Sequence, residues 1–211
     1  MFGSKRLTFL ILTAIQLKLS SNQVLQFGPC GKVQPVKFFD LEKFLGLWYE
    51  VERFPAWYEE SAKCASKRFQ ACGRRIEIEY AFVRDAIQYI LHVNSTYIPG
   101  DDAVFTFEKN NIDPVGIPLS VIATDYTNYA ILYGCRMNEQ LDIKYISAWI
   151  LSRSKILPSH ILETAYREIN SLSYVSTAYL EPVDQNDSNC AHHWTAHVHA
   201  EDAKEEEKDE L

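Results

Sequence analysis

The sequence predicts an all-β protein, an eight-stranded antiparallel up-and-down barrel with one C-terminal amphipathic helix packed outside, on three observations. Short segments rich in β-branched and aromatic residues alternate in polarity with period two. Turn chemistry punctuates them, as at Pro99-Gly100-Asp101-Asp102 and from Asp125 to Asn128. After the strands comes a single stretch with helical apolar spacing. Eight strands suffice to close a sheet without free edges, and the interior then holds side chains or one small ligand.

The 211 residues fit one domain. Lys5 and Arg6, the apolar run Leu7 to Ile15, and the small polar Ser20, Ser21 and Asn22 have the layout of a secretory signal peptide, assigned to residues 1–21. The run is shorter than the roughly 20 residues of a bilayer span, and charges break every later apolar segment. The barrel and its flanking helix are assigned to residues 22–180, with strands at 48–54, 65–71, 75–83, 87–97, 103–108, 118–124, 129–135 and 142–152. In the last of these, Leu141, Ile143, Tyr145, Ser147, Trp149, Leu151 and Arg153 share one face, read as inward. Pro158 and Ser159 then open the stripe Ile161, Leu162, Ala165, Tyr166, Ile169, a helix suited to the barrel's outside. Tyr174 to Tyr179 reads as a further short strand, and the polar, aperiodic residues 181–211 as disordered.

The net charge of -7 is uneven, because Glu201 to Leu211 holds seven acids and two bases. The remaining body is nearly neutral and lacks the basic face that nucleic-acid binding requires. Cys30, Cys64, Cys72, Cys135 and Cys190 contain no C-x-x-C pair; in an oxidising lumen they read as disulfides with one thiol left over, which spacing alone does not identify. Asn94 and Asn186 head N-glycosylation sequons, Asn94 being the better acceptor. His192, His193, His197 and His199 lie in a tail without evident geometry, so neither a metal nor a cofactor is expected. Lys208-Asp209-Glu210-Leu211 spells an address read by endoplasmic-reticulum retrieval receptors, so the expected destinations are secretion or the reticulum lumen.

Phe44-Leu45-Gly46-Leu47-Trp48-Tyr49-Glu50-Val51 resembles the signature of the lipocalin family, in which Gly-x-Trp opens the first barrel strand. Thr124-Asp125-Tyr126 resembles the family's turn between later strands, and Arg153 stands where its third marker sits. The stretches 123–130 and 148–153 look like the apolipoprotein D-like branch, with its bilin-binding and Lazarillo-type insect relatives. The resemblance implies a carrier of a small hydrophobic ligand. It implies a barrel base built from Gly46, Trp48, Thr124, Asp125, Tyr126 and Arg153, and bridges Cys30–Cys135 and Cys64–Cys190 that leave Cys72 free. Independently of the family, an arginine stacked on an indole and shielded from water gains roughly 1 to 2 kcal/mol.

The alternation nominates the ligand contacts. Leu141, Ile143, Tyr145 and Trp149 share the inward phase of the last long strand, and Ala65, Phe69 and Ala71 that of the second; Phe69 and Trp149 also match pocket aromatics of the family. Lys67 shares the inward phase, and because an unpaired buried ammonium is costly, a bulge that turns it outward is expected rather than a partnership with a ligand carboxylate. Trp57 and Tyr58 in the first loop read as a ligand lid, a peripheral lipid contact or loop packing. The rival class is a lipocalin-type isomerase with Cys72 as nucleophile, but with Phe69 inward Cys72 points outward, where it permits a disulfide dimer instead. No other catalytic motif is present in the sequence.

Overall fold

The computed structural model describes residues 24–56, 59–98 and 102–201. The expected signal peptide, Trp57 and Tyr58, most of the Pro99–Asp102 turn and the Lys208–Leu211 tetrapeptide lie outside them. The chain runs β1 (Val24–Phe27), α1 (Leu41–Phe44), β2 (Gly46–Arg53), β3 (Lys63–Cys72), β4 (Arg75–Arg84), β5 (Ile87–Ser95), β6 (Val104–Phe105), β7 (Leu119–Thr124), β8 (Tyr129–Asn138), β9 (Ile143–Ser152), α2 (Ser159–Asn170), β10 (Glu181–Pro182) and β11 (Trp194–His199).

Strands β2 to β9 correspond to the eight expected from alternation, and their order across the sheet is β5-β4-β3-β2-β9-β8-β7-β6. Every pairing in this path is antiparallel. The ladder does not run continuously around, because β6 has two residues. Its ends meet just past β5 and β6, where Thr96 and Thr106 each donate a backbone N–H to the other's carbonyl at 2.9 Å. β1 pairs β9, and β10 pairs β2.

Strand β9 is buried on both faces. Trp149 and Leu151 join the interior, whereas Ile150 faces α2 with Ile131 and Leu157. The apolar stripe of α2 brings Ala165 and Ile169 to full burial against this outer surface, as its spacing predicts.

Two expectations are corrected. Residues 174–179 form no strand; Ser176 accepts from the Ala178 N–H and caps a short 3-10 turn at Thr177–Tyr179. Residues 181–201, expected to be disordered, dock onto the barrel. The Cys64–Cys190 bridge ties them to β3, the Cys64 N–H donates to the Asp184 carbonyl at 2.7 Å, and Gln185 Nε2 donates to the carbonyls of Glu50 and Ala65. β5 then presents a free edge of backbone donors and acceptors, and β11 pairs with it in parallel from Trp194↔Ile87 to His199↔His92. The second bridge, Cys30–Cys135, anchors the segment after β1 to β8. Long-loop disulfides of this kind typically contribute about 2 to 4 kcal/mol each.

Candidate ligand cavity

One end of the barrel is closed by residues that the sequence pattern brings together. Gly46 adopts φ +98°, which favours glycine, and a Cβ there would meet Arg153 Nη1 at 3.4 Å. The Arg153 guanidinium lies 3.7 Å from the centroid of the Trp48 ring. It donates to the carbonyls of Tyr126, Leu47, Lys43 and Phe44 at 2.7 to 3.1 Å, four bonds from the five N–H groups of its fork. Trp48 Nε1–H donates to the Phe44 carbonyl at 2.8 Å. Thr124 Oγ1 accepts from the Tyr126 N–H, and Asp125 Oδ1 accepts from the N–H groups of Thr127, Asn128 and Tyr129. Burial pushes the Asp125 carboxyl up, but hydrogen bonds from Asn128, Tyr129 and Thr127 outweigh it and hold it below the ordinary value.

Above this plug the interior is packed with rings. Phe44 lies 5.0 Å from Phe69 and 5.2 Å from Trp48, and Phe69 lies 5.3 Å from Phe105. Phe69 is thus part of the closed end and does not line the cavity, which corrects its assignment as a ligand contact: its inward phase was right and its depth was not.

The next layer is ionic. Lys67 is completely buried, its Nζ 2.6 Å from Glu50 Oε1 and 3.2 Å from Glu59 Oε1. Arg53 lies 2.8 Å from Glu50 Oε2 and 3.6 Å from Glu59 Oε2, and also donates to the carbonyls of Glu59 and Ala62. The expected outward turn of Lys67 is therefore wrong. The β3 bulge falls between Lys63 and Ser66, before the residue, and the ammonium's desolvation is offset by two carboxylates. Burial pushes both carboxyls up. At Glu50 the adjacent Lys67 and Arg53 prevail and the group lies below its ordinary value; at Glu59 burial and the neighbouring Glu50 prevail and raise it. Sequence reasoning missed Glu50, Arg53 and Glu59. Glu50 shares the inward phase of Trp48 and was legible, but a register shift between Glu50 and Glu52 hides Arg53, and Glu59 comes from a loop.

The cavity opens beyond this layer. It has a volume of about 310 Å³ and is walled by Tyr80, Val93, Leu119, Tyr145, Ser147 and Trp149 from the strands, with Leu25 at its edge. Lys67 Nζ sits 4.2 Å from the Tyr80 ring centroid and 4.5 Å from that of Trp149, linking the ionic layer to the cavity's rings. A loop carrying Phe107, Ile112, Val115 and Ile117 supplies the remaining wall. Asp113 holds that loop, its Oδ1 accepting from the N–H groups of Val115 and Gly116 and its Oδ2 from that of Ile117. Asn110 Oδ1 accepts from Ile112 and Asp113 in the same way.

Tyr145 and Trp149 line the cavity, but Ile143 and Leu141 do not. Ile143 is half-buried at the start of β9, and Leu141, placed inward by extrapolating the alternation, lies in the preceding turn and is 61% exposed. Ala71 is exposed at the far end of β3. Cys72 is free and exposed, with its Sγ 3.6 Å from Glu77 Oε2, and it is absent from the cavity wall. Burial and the Glu77 carboxylate push its thiol up, the opposite of an activated nucleophile. Asn94 is exposed on β5; Asn186 is exposed with its side-chain oxygen accepting from the Ser188 N–H.

With this geometry in place, residues 45–184 match the family model described as the lipocalin / cytosolic fatty-acid binding protein family. The chain belongs to this family. It is 30% identical to insecticyanin-A of Manduca sexta over 158 residues, covering 72% of this chain and 82% of that one. It is 29% identical to a bilin-binding protein of Pieris brassicae, covering 71% and 79%, and 28% identical to apolipoprotein D of Cavia porcellus, covering 81% and 89%. Among solved structures, insecticyanin from the tobacco hornworm superposes with a TM-score of 0.74 at 26% identity, covering 85% of this chain and 97% of that one.

Proposed function

We propose that this lipocalin carries one small hydrophobic molecule in the cavity and catalyses no change in it. The observation that carries this reading is the cavity itself: predominantly apolar walls from Val93, Leu119, Trp149 and the Ile112–Ile117 loop, with the polar side chains of Tyr145 and Asp113 among the lining. Its volume of about 310 Å³ stands near the lower limit of the roughly 300 to 1,000 Å³ typical of ligand sites, which favours a single compact ligand. The name of the bilin-binding relative makes a bilin one member of the panel to test, beside retinoids, steroids and fatty acids.

Titration of the purified protein with that panel should quench tryptophan fluorescence saturably for at least one member, and Trp149→Ala should weaken the binding. If no member binds below about 100 μM, roughly -5.5 kcal/mol, the carrier reading fails.

The two disulfides support folding in an oxidising lumen, with Asn94 as the better glycan acceptor and the exposed Cys72 available for a disulfide dimer. Retention is tested in cultured cells. The intact chain should stay inside with an immature glycan, and a chain ending at Glu207 should reach the medium; equal secretion of both would reject a retrieval role for Lys208–Leu211.

A further inference from the structure

The outer wall of the barrel carries a cluster of donors that the cavity does not use. On β4, Ile76, Ile78 and Tyr80 face in, so Glu77 and Glu79 face out; on β5, Leu91 and Val93 face in, so His92 faces out. The antiparallel register sets Glu79 directly opposite His92 and Glu77 opposite Asn94. One ligand atom from each of Glu77, Glu79 and His92 lies within 4.8 Å of the others. His92 Nδ1 is 2.9 Å from Glu77 Oε1 and 3.9 Å from Glu79 Oε1.

The docked C-terminal strand completes the surroundings. The parallel register of β11 places His197 and His199 on the same outward face, beside β5. His197 Nδ1 is 3.0 Å from His92 Nε2, and the His199 ring stacks on the His92 ring at 4.5 Å with 16° between planes. Arg68 Nε lies 3.4 Å from Glu79 Oε2, which leaves Oε1 turned towards His92.

We propose that Glu77, Glu79 and His92 form a binding site for a borderline divalent metal ion such as Zn²⁺, with His197 as the outer partner that orients His92. Two carboxylates and one imidazole are a donor set that zinc takes, with remaining positions open to water. Donors about 2.0 to 2.2 Å from a common ion stand roughly 3 to 3.5 Å apart. The Glu77–His92 pair already matches, and Glu79 closes the rest by a side-chain rotation available to a group 26% exposed. A cation also relieves the repulsion between neighbouring carboxylates that Arg68 only partly offsets. With Nδ1 on the metal, Nε2–H donates to His197 Nδ1, the outer hydrogen bond that metal-bound imidazoles characteristically make. The metal would therefore tie the docking of β11 to the barrel wall. The sequence expectation of no metal site considered only the tail histidines; this site is built on β4 and β5.

The full chain, stripped with chelator, should take up one Zn²⁺ per molecule in calorimetric titration with a Kd of about 10 μM or tighter. Glu77→Gln combined with Glu79→Gln should weaken it at least tenfold, as should His92→Ala. His197→Ala should cost roughly tenfold, the low end for an outer-shell partner. The doubly substituted His192→Ala/His193→Ala protein should bind as the parent does. The glutamine variants preserve shape, and circular dichroism of each protein confirms that it is folded. Binding that survives the glutamine pair, is lost with His192 and His193, or is weaker than about 100 μM in the parent overturns the proposal.

Discussion

The interior of this barrel is solid on one side of Trp149 and open on the other, although the same strands line both. In the closed half, α1 contributes Phe44, the loop after β2 contributes Glu59, and Arg153 caps the base, so elements outside the barrel strands complete the filling. In the open half the loop around Asp113 is braced by its own side-chain-to-backbone bonds and forms part of the cavity wall. Strand alternation alone therefore leaves the size of the cavity undecided; the loops decide it.

The contrast is broken most severely at the ionic layer. Lys67→Ala leaves Glu50 and Glu59 buried with Arg53 as their remaining partner in the cluster, and should cost about 3 to 5 kcal/mol in urea unfolding. Adding Glu59→Gln should recover part of that loss; no recovery would show that Lys67 acts through packing over Tyr80 and Trp149 rather than through charge.

At the base, Arg153→Ala removes the stack on Trp48 and donors to four carbonyls, and about 2 to 4 kcal/mol should be lost. Thermal denaturation measures it. Arg153→Lys should restore only a minor part, because an ammonium lacks the planar fork.

Enlarging a side chain separates the two halves directly. Ala130→Leu, at a fully buried position in the closed half, should destabilise by about 1 to 3 kcal/mol through overpacking. Val93→Phe grows into the cavity and should change stability by less than about 1.5 kcal/mol while weakening ligand binding at least tenfold. Equal destabilisation by both would mean that the cavity is not real space in solution.

The smallest effect is the pH dependence of Glu59. Its native pKa is raised above the ordinary 4.5, so between that value and the raised one the folded chain holds a proton that the unfolded chain has released. Stability from this group is thus present at low pH and declines as pH rises through the window. Comparing unfolding of the parent and Glu59→Gln from pH 4.5 upward should show the parent losing ground relative to the variant; an opposite slope would mean that the Lys67 and Arg53 attraction outweighs burial at Glu59 as it does at Glu50.

The sequence by itself determined the strands β2 to β9, the inward face of β9 and the stripe of α2, because these depend on periods of two and 3.6 that neighbouring residues carry. The Gly46-x-Trp48 motif, the Thr124-Asp125-Tyr126 turn and Arg153 pointed to the closed end through their resemblance to the family's signature. Only the tertiary structure decided that Phe69 belongs to that end and Tyr145 to the cavity, since a period of two encodes which face a residue takes and not how deep along the barrel it lies. The Glu50–Lys67–Glu59–Arg53 layer was illegible for a related reason: a buried charge is tolerable only beside its partner, and here the partners come from two strands and a loop. The docking of β11 depends on a vacant strand edge at β5, and with it the meeting of His197 with His92, 105 residues away in the chain.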